Sequence, residues 1–355
     1  MKFTVPRRRV TALPLFLFTC SVTIAAASGC TSHHEIARRQ TVEVGGLAWF
    51  GPLRAADRAR LDRWAGAVGP PLVVEHARAA EGPVRTLVVL SWNVALGAGD
   101  VQALVSHVRE TYEGSPIVLL LQEVFREGPQ VPSRLEADAA FAGRLGSSAR
   151  PRDDVEEIAR ACGLNAYYVP SMRNGSPAAS NEDRGNAILS TLPLTDIGAI
   201  ELPFERQRRV AVAATAKGRA PNGAPWRIRF VSAHLDNMVG PHRLWFAGGA
   251  FARTRQARAL LDHLRHDETA ILGGDFNTWF GFADPAFRET SEAFPDTEVV
   301  DRRPTFHNLL RLDHVFFRVP DGWKTEFKRG RSRYGSDHWP LVATIAIGAD
   351  AAGLP

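Results

Sequence analysis

The chain runs to 355 residues, of which 45% are hydrophobic; this excludes disorder over most of its length and allows one large domain or two ordinary ones. Its formal charge of +5 includes Lys2, Arg7, Arg8 and Arg9, which all precede the first acidic residue, Glu35; removing those four cations leaves +1, so the overall charge specifies no polyanionic partner. Cysteine occurs only at Cys20, Cys30 and Cys162, the first two in the leading segment, which excludes a disulfide framework and reads Cys162 as a small buried hydrophobe.

The first element is a targeting segment. MKFTVPRRR is basic, Val10 to Ala27 is apolar, and small residues lead directly to Cys30. Pro14, Ser21 and several threonines make a poor membrane span. The pattern resembles a bacterial lipoprotein signal, with residues 1–29 removed before an acylated Cys30 that tethers an exported protein to a membrane. A plain cleaved signal, leaving a periplasmic protein, and an uncleaved anchor are the other readings. Residues 30–85 form an N-terminal extension packed on the core or a linker, with a helix-like stretch from Leu53 to Ala67 that stops at Gly69-Pro70-Pro71.

The pattern changes at Thr86, where the main domain, residues 86–348, begins. TLVVLSWNV and, from Ile117, IVLLLQEVF are continuous apolar runs of strand length. An amphipathic helix from Val101 to Thr111 lies between them. A helix over Asp153–Cys162 follows, with Asp153 and Asp154 as caps. Further strands are expected at Asn165–Pro170, Gly185–Ser190, Arg209–Ala216, Trp226–Ala233, Thr269–Gly274, Leu312–Arg318 and Leu341–Ile347. Helices are expected at Gly248–His266 and Asp284–Ala293. About nine strands suit two packed sheets better than one doubly wound sheet. The stretch from Met172 to Asp183 reads as an exposed polar loop, and residues 349–355 as a tail.

Metal-competent polar residues recur where these apolar strands end: Asn93 in TLVVLSWN, Glu123 in IVLLLQE, His234 in IRFVSAH, Asp275 and Asn277 in AILGGDFN, Asp313 in LRLDHVFF, and Asp337 with His338 in GSDHWP. One such residue is usually a turn cap. The joint pattern points to use, because buried polar groups carry a desolvation cost that something must offset. A cation, two imidazoles and two carboxylates meet the needs of phosphate ester hydrolysis: neutralising the non-bridging oxygens, aiming a water and stabilising the leaving oxygen.

In order and wording, SWN, LQE, GGDFN and GSDH resemble the endonuclease/exonuclease/phosphatase superfamily, from Thr86 to about Ile347. The resemblance implies an α+β fold, a four-layer α/β/β/α sandwich of two packed mixed sheets flanked by helices. It implies a divalent cation, Mg²⁺ or else Mn²⁺, on Glu123 with Asn93 beside it. It places Asp275 at the attacking water, Asn277 and His234 at the phosphoryl oxygens, and His338 on the phosphate or in acid–base chemistry, oriented by Asp337 or Asp313. Arg184 and Tyr168 are weaker candidates for substrate contact, with a core aromatic as the other reading of Tyr168, and Asp236 reads either as an extension of the site or as a loop cap. The sequence departs from the deoxyribonuclease branch in lacking a strand-borne glutamate to support His234; only Glu182 and Asp183 in the polar segment offer themselves.

Three functions are weighed. A nuclease acting on DNA or RNA outside the cytoplasm calls for a basic groove, for which Arg173, Arg184, Arg206, Arg208, Arg209, Arg329, Arg331 and Arg333 are available. A phospholipid or sphingomyelin phosphodiesterase, or an inositol phosphatase, at the membrane surface suits a tethered protein with Trp279, Phe280, Phe282, Trp245 and Phe246 in loops. A binding module that has lost the chemistry requires replaced ligands, and the set is intact. No obligate protein partner is evident.

Overall fold

An apolar run with no polar break is what a strand covered on both faces requires. In β4 (Thr86–Asn93), Leu87 and Val89 face the space between two sheets, while Val88, Leu90 and Trp92 face a helical layer. The structure is a computed structural model that describes residues 36–38, 47–77, 82–132, 152–174, 181–237 and 245–348. Cys30, the rest of the leading segment, and residues 349–355 lie outside them. The described residues all fall in one unit that begins at His34.

Two mixed seven-stranded sheets make up the two inner layers. The first runs in the order β1 (Ile36–Arg38), β2 (Ala48–Pro52), β8 (Leu194–Glu201), β9 (Val210–Arg219), β10 (Pro225–His234), β11 (Ala270–Asp275), β12 (Asp313–Arg318). The second runs β13 (Lys324–Arg329), β14 (Leu341–Ala346), β4, β5 (Ile117–Glu127), β7 (Glu182–Ser190), β6 (Asn165–Asn174), β3 (Leu72–Val74). Between them Val89, Leu120 and Ile188 pack with Val212, Phe230 and Ile271. On the outer face of the second sheet, α2 (Val101–Thr111) and α3 (Val155–Cys162) bury Leu104, Val108 and Ile158. On the outer face of the first, α4 (Trp245–His263) and α5 (Pro285–Ala293) cover Val231, Leu272 and Phe316 with Ala257, Leu260 and Phe287. This is the four-layer sandwich the sequence resemblance implies.

All nine expected strands are present, and the described residues hold five more. Segments read as an extension or linker supply β1, β2, α1 (Ala55–Ala65) and β3, and each of those strands joins a sheet. β1 and β3 are three-residue edge strands, too short to register as a pattern. β8 is interrupted by a register shift between Thr195 and Gly198, with Asp196 at φ 52°. β13, KTEFKR, is an edge strand whose only buried residue is Phe327. The stretch from Met172 to Asp183 is corrected in its described parts: Arg173, Asn174 and Asp183 are buried strand residues of β6 and β7. Residues 175–180 lie outside the described ones.

The two glycines of GGD answer two different crowding constraints. A Cβ on Gly273 would meet Leu120 and Ser91 of the opposing sheet at 2.8 and 2.9 Å, and one on Gly274 would lie 1.8 Å from the Ala233 carbonyl oxygen of β10. Gly274→Ala therefore forces β10 and β11 apart next to their polar ends. We expect it to lower unfolding free energy by ~3 kcal/mol, as overpacking does. Gly128→Ala, whose added Cβ meets nothing within 4 Å, is expected to stay within ~0.5 kcal/mol; urea unfolding of both variants checks the contrast.

Candidate active site

Backbone pairing assembles the centre of the site. His234 is the register partner of Asp275 across the parallel β10–β11 pair, and Asp275 is that of Asp313 across the antiparallel β11–β12 pair. Three chemically active side chains therefore occupy one rung. The opposing sheet adds Asn93 from the end of β4, whose Nδ2 donates to Asp275 Oδ2 at 2.9 Å. It also adds His338 from the turn before β14, whose Nδ1 lies 2.8 Å from Asp313 Oδ2. Asp275 Oδ2 is the common point, 3.5 Å from His234 Nε2 and 3.8 Å from His338 Nε2.

Local structure fixes each of these groups. Asn277, at φ 50°, folds the chain back so that its N–H donates to Asp275 Oδ1 at 2.9 Å and its Nδ2 to the Leu235 carbonyl at 2.9 Å. Ser336 Oγ donates to the Asn93 carbonyl at 2.7 Å and accepts from the His338 N–H at 3.0 Å, and Trp92 Nε1 donates to the His338 carbonyl at 3.1 Å. Beneath the site, Gln122 Nε2 donates to Ser232 Oγ at 3.0 Å and Ser232 Oγ to the Leu121 carbonyl at 2.9 Å, tying the sheets together.

Glu123 sits in a β-bulge of β5 between Leu121 and Val124, at φ 54°. Bulges re-aim side chains, and here the carboxylate is 26% exposed in otherwise buried surroundings, its Oε1 4.0 Å from His234 Nδ1. The residues fit a hard divalent cation. Glu123 and Asn93 Oδ1, which accepts one hydrogen bond from the Ala95 N–H at 3.0 Å, are oxygen donors beside a carboxylate-rich centre. Asp275, Asp313 and His338 also have ligand atoms within 4.8 Å of one another. His338 Nδ1 and Asp313 Oδ2 are already engaged with each other, however, so that trio is better placed to manage a proton than to enclose an ion.

Electrostatics divide the two imidazoles. Burial disfavours charge on His338, but the Asp313 carboxylate bonded to it, with Asp275 and Asp337, pushes its pKa up to about 10. Burial, with Arg209, His338 and Arg184 nearby, holds His234 well below the usual imidazole range. Burial and the Asp313 charge push Asp275 up to about 7. The site thus combines a cationic donor, a neutral imidazole and a carboxylate able to exchange a proton near neutrality.

The structure brings Asn93, Glu123, His234, Asp275, Asn277, Asp313 and His338 together. Asp337 stands at the margin, 40% exposed and 4.0 Å from His338 Nε2, so the partner that orients His338 is Asp313. Arg184 flanks the centre; among the described residues its guanidinium donates only to Met172 Sδ, at 3.2 Å, and Glu123 and Arg209 both act on it electrostatically. Tyr168 is a correction: it is fully buried and its hydroxyl donates to Asp183 at 2.7 Å, turning it away from any substrate. Of the two readings of Asp236 the structure has the loop cap, which accepts from the Arg206 and Gln207 N–H groups at 2.9 and 3.1 Å. Neither Glu182, paired with Arg152, nor Asp183, paired with Arg126, supports His234. The basic groove also shrinks, because Arg208 is buried against Glu201 at 2.8 Å and Arg173 is buried as well. Ser336 and Trp92 escaped sequence reasoning, although Ser336 stands in GSDH itself.

A family model described as Endonuclease/Exonuclease/phosphatase family matches residues 90–338, well over half of the chain. The chain belongs to this family. Its members are hydrolases of phosphoester bonds that depend on a divalent metal. A UPF0294 protein of Vibrio cholerae serotype O1 is 39% identical over 136 residues, 36% of this chain and 47% of that protein. A UPF0294 protein of Vibrio vulnificus is 33% identical over 117 residues, 32% and 40% respectively. The chain thus spans less than half the length of these curated relatives. The solved endonuclease/exonuclease/phosphatase of Beutenbergia cavernae superposes with a TM-score of 0.53 at 17% identity, over 74% of this chain and 72% of that one, and shares the fold.

The charge state of His338 is open to direct measurement. In metal-free protein, NMR titration of the imidazoles is expected to show His338 protonated up to about pH 10 and His234 neutral through mildly acidic pH; a His338 ring that titrates near 6.5 would contradict this. Because an unfolded imidazole titrates near ~6.5, the stabilisation from this proton is complete below that pH and fades as pH rises through about 10.

Proposed function

We propose that this protein is a metal-dependent phosphodiesterase acting on nucleic acid outside the cytoplasm. The observation that carries the reading is Asp275 Oδ2, encircled by Asn93, His234 and His338 while Asp313 holds His338 from behind. A bound cation on Glu123 and Asn93 would supply Lewis-acid neutralisation of the phosphate oxygens. Asp275, with its affinity for protons raised to about 7, takes a proton from the attacking water. His338, cationic against Asp313, donates from Nε2 to a non-bridging oxygen or the leaving oxygen. His234, kept neutral, offers a second hydrogen bond without adding charge, and Asn277 holds Asp275 in place. Arg184, without a carboxylate partner among the described residues, is available to a phosphate.

A second reading, a phospholipid phosphodiesterase, has one observation in its favour: Phe280, three residues past Asn277, is 50% exposed, as an interfacial contact would be. Phe282 does not join it, because it packs on Phe287 at 5.1 Å. No helix among the described residues is long and apolar enough to cross a membrane.

Hydrolysis of bis-p-nitrophenyl phosphate is expected to require Mg²⁺ or Mn²⁺, and full activity in excess chelator would remove the metal from the scheme. His338→Ala and Asp275→Ala are each expected to lower kcat by ~10²–10⁴, with far-UV circular dichroism unchanged. A panel of plasmid DNA, RNA, sphingomyelin and inositol phosphates decides the substrate class, preference for sphingomyelin being the result that replaces the nuclease reading. Export with a lipid anchor on Cys30 is part of the same proposal. Cys30→Ala is expected to move the protein from the membrane fraction to the soluble one, and unchanged sedimentation with membranes would exclude the anchor.

A further inference from the structure

Between α2 and the β13–β14 hairpin lies a cavity of about 430 Å³, within the range of small-ligand sites. Its lining holds the cations Arg303, Lys328, Arg329 and Arg331 together with His107, and among the described residues no carboxylate lines it. Asp301 neutralises Arg303 from outside, with Nε 2.9 Å from Oδ1. Arg329 donates to the Pro304 carbonyl at 2.8 Å and lies 4.1 Å over the Trp339 ring, its Nε buried without a partner. Lys328 and Arg331 are exposed and form no ion pair among the described residues. Asp301 also acts on Arg329, which leaves Lys328 and Arg331 as two positive charges with no acidic partner among the described residues, and an anion in the cavity relieves their repulsion. The aromatic part of the wall is Tyr112, Tyr334 and Trp339, and Leu104, Val108 and Val342 form its aliphatic part.

The cavity is joined to the catalytic centre by short links. Trp339 follows His338 in the chain. Tyr334 packs edge-on against Trp92 at 6.1 Å, and Trp92 donates to the His338 carbonyl at 3.1 Å. Cations beside aromatic rings recognise a unit that carries both a phosphate and a flat π face, which is a nucleotide.

We infer that this cavity is a nucleotide subsite, holding the phosphate and base of a nucleotide that flanks the scissile bond. The inference rests on the nuclease reading and deepens it. Lys328 and Arg331 bind the flanking phosphate, and the Tyr334 and Trp339 side takes the base.

The test compares wild type with Lys328→Ala/Arg331→Ala on three substrates in Mg²⁺: bis-p-nitrophenyl phosphate, a thymidine dinucleotide and hexathymidylate. Wild type is expected to prefer hexathymidylate. The double variant is expected to lose about tenfold in kcat/KM for hexathymidylate relative to bis-p-nitrophenyl phosphate. Its salt slope for binding labelled hexathymidylate in chelator is expected to fall by roughly 0.7 per charge removed. Equal preference and equal slope in the two proteins overturn the subsite while leaving the nuclease reading intact. Cleavage of bis-p-nitrophenyl phosphate with no oligonucleotide cleaved overturns the nuclease reading. The chelator titration then judges the cavity alone: weaker hexathymidylate binding by the variant supports it, and no binding by wild type ends it. Phosphatidylglycerol vesicles that sediment with wild type and not with the variant also overturn it, because the occupant is then a lipid.

Discussion

Across the centre of one sheet, His234, Asp275 and Asp313 share a rung of the hydrogen-bonded ladder, and the rest of the site is arranged around that alignment. Backbone bonds between neighbouring strands set side chains on one rung about 5 Å apart. That spacing forces two carboxylates together in a buried place, where burial first and the Asp313 charge second push Asp275 up to about 7. The same crowding demands a cation nearby, and His338, brought from the other sheet, answers part of that demand.

The site belongs to neither sheet alone. Asn93 and His338 lie at the ends of strands in the second sheet, yet both contact the carboxylates of the first. Glu123 adds a second-sheet carboxylate beside His234 of the first. Buried polar ties hold the two halves in register, among them Gln122 to Ser232 and, farther along, Asn186 Nδ2 to the Val210 carbonyl at 2.8 Å. In a dry interface such bonds act mainly through the cost of leaving any of them unmade. A slip of one sheet over the other would break several at once, so the packing that fills the core also fixes the catalytic distances.

Electrostatic surroundings differentiate groups of the same chemical type. His338 and His234 both lie close to Asp275, but only His338 has a carboxylate bonded to its far nitrogen, and it alone is held cationic. His314, next to Asp313 in sequence, points to the opposite face, contacts Thr278 at 2.7 Å and packs on Phe287; burial and Arg311 keep it neutral. Alternation along β12 thus separates a catalytic carboxylate from a structural imidazole one residue away.

The central strands, their division into two packed sheets and the polar strand ends from Asn93 to His338 were legible in the sequence, because burial on both faces leaves apolar runs and a polar residue at the end of such a run stands out; the four layers came with the family resemblance. The edge strands β1, β3 and β13 were not, since a short strand with one wet face carries little hydrophobic signal. Nor could sequence decide between Asp313 and Asp337 as the partner of His338, dismiss Tyr168, or withdraw Arg208 from the basic groove. Those outcomes depend on which side chains meet across the sheets: Tyr168 turns to Asp183 and Arg208 to Glu201 because both are buried where a partner is obligatory. Residue chemistry and periodicity are local properties that the chain carries by itself, whereas pairing between residues distant in the chain exists only once the two sheets have closed on each other.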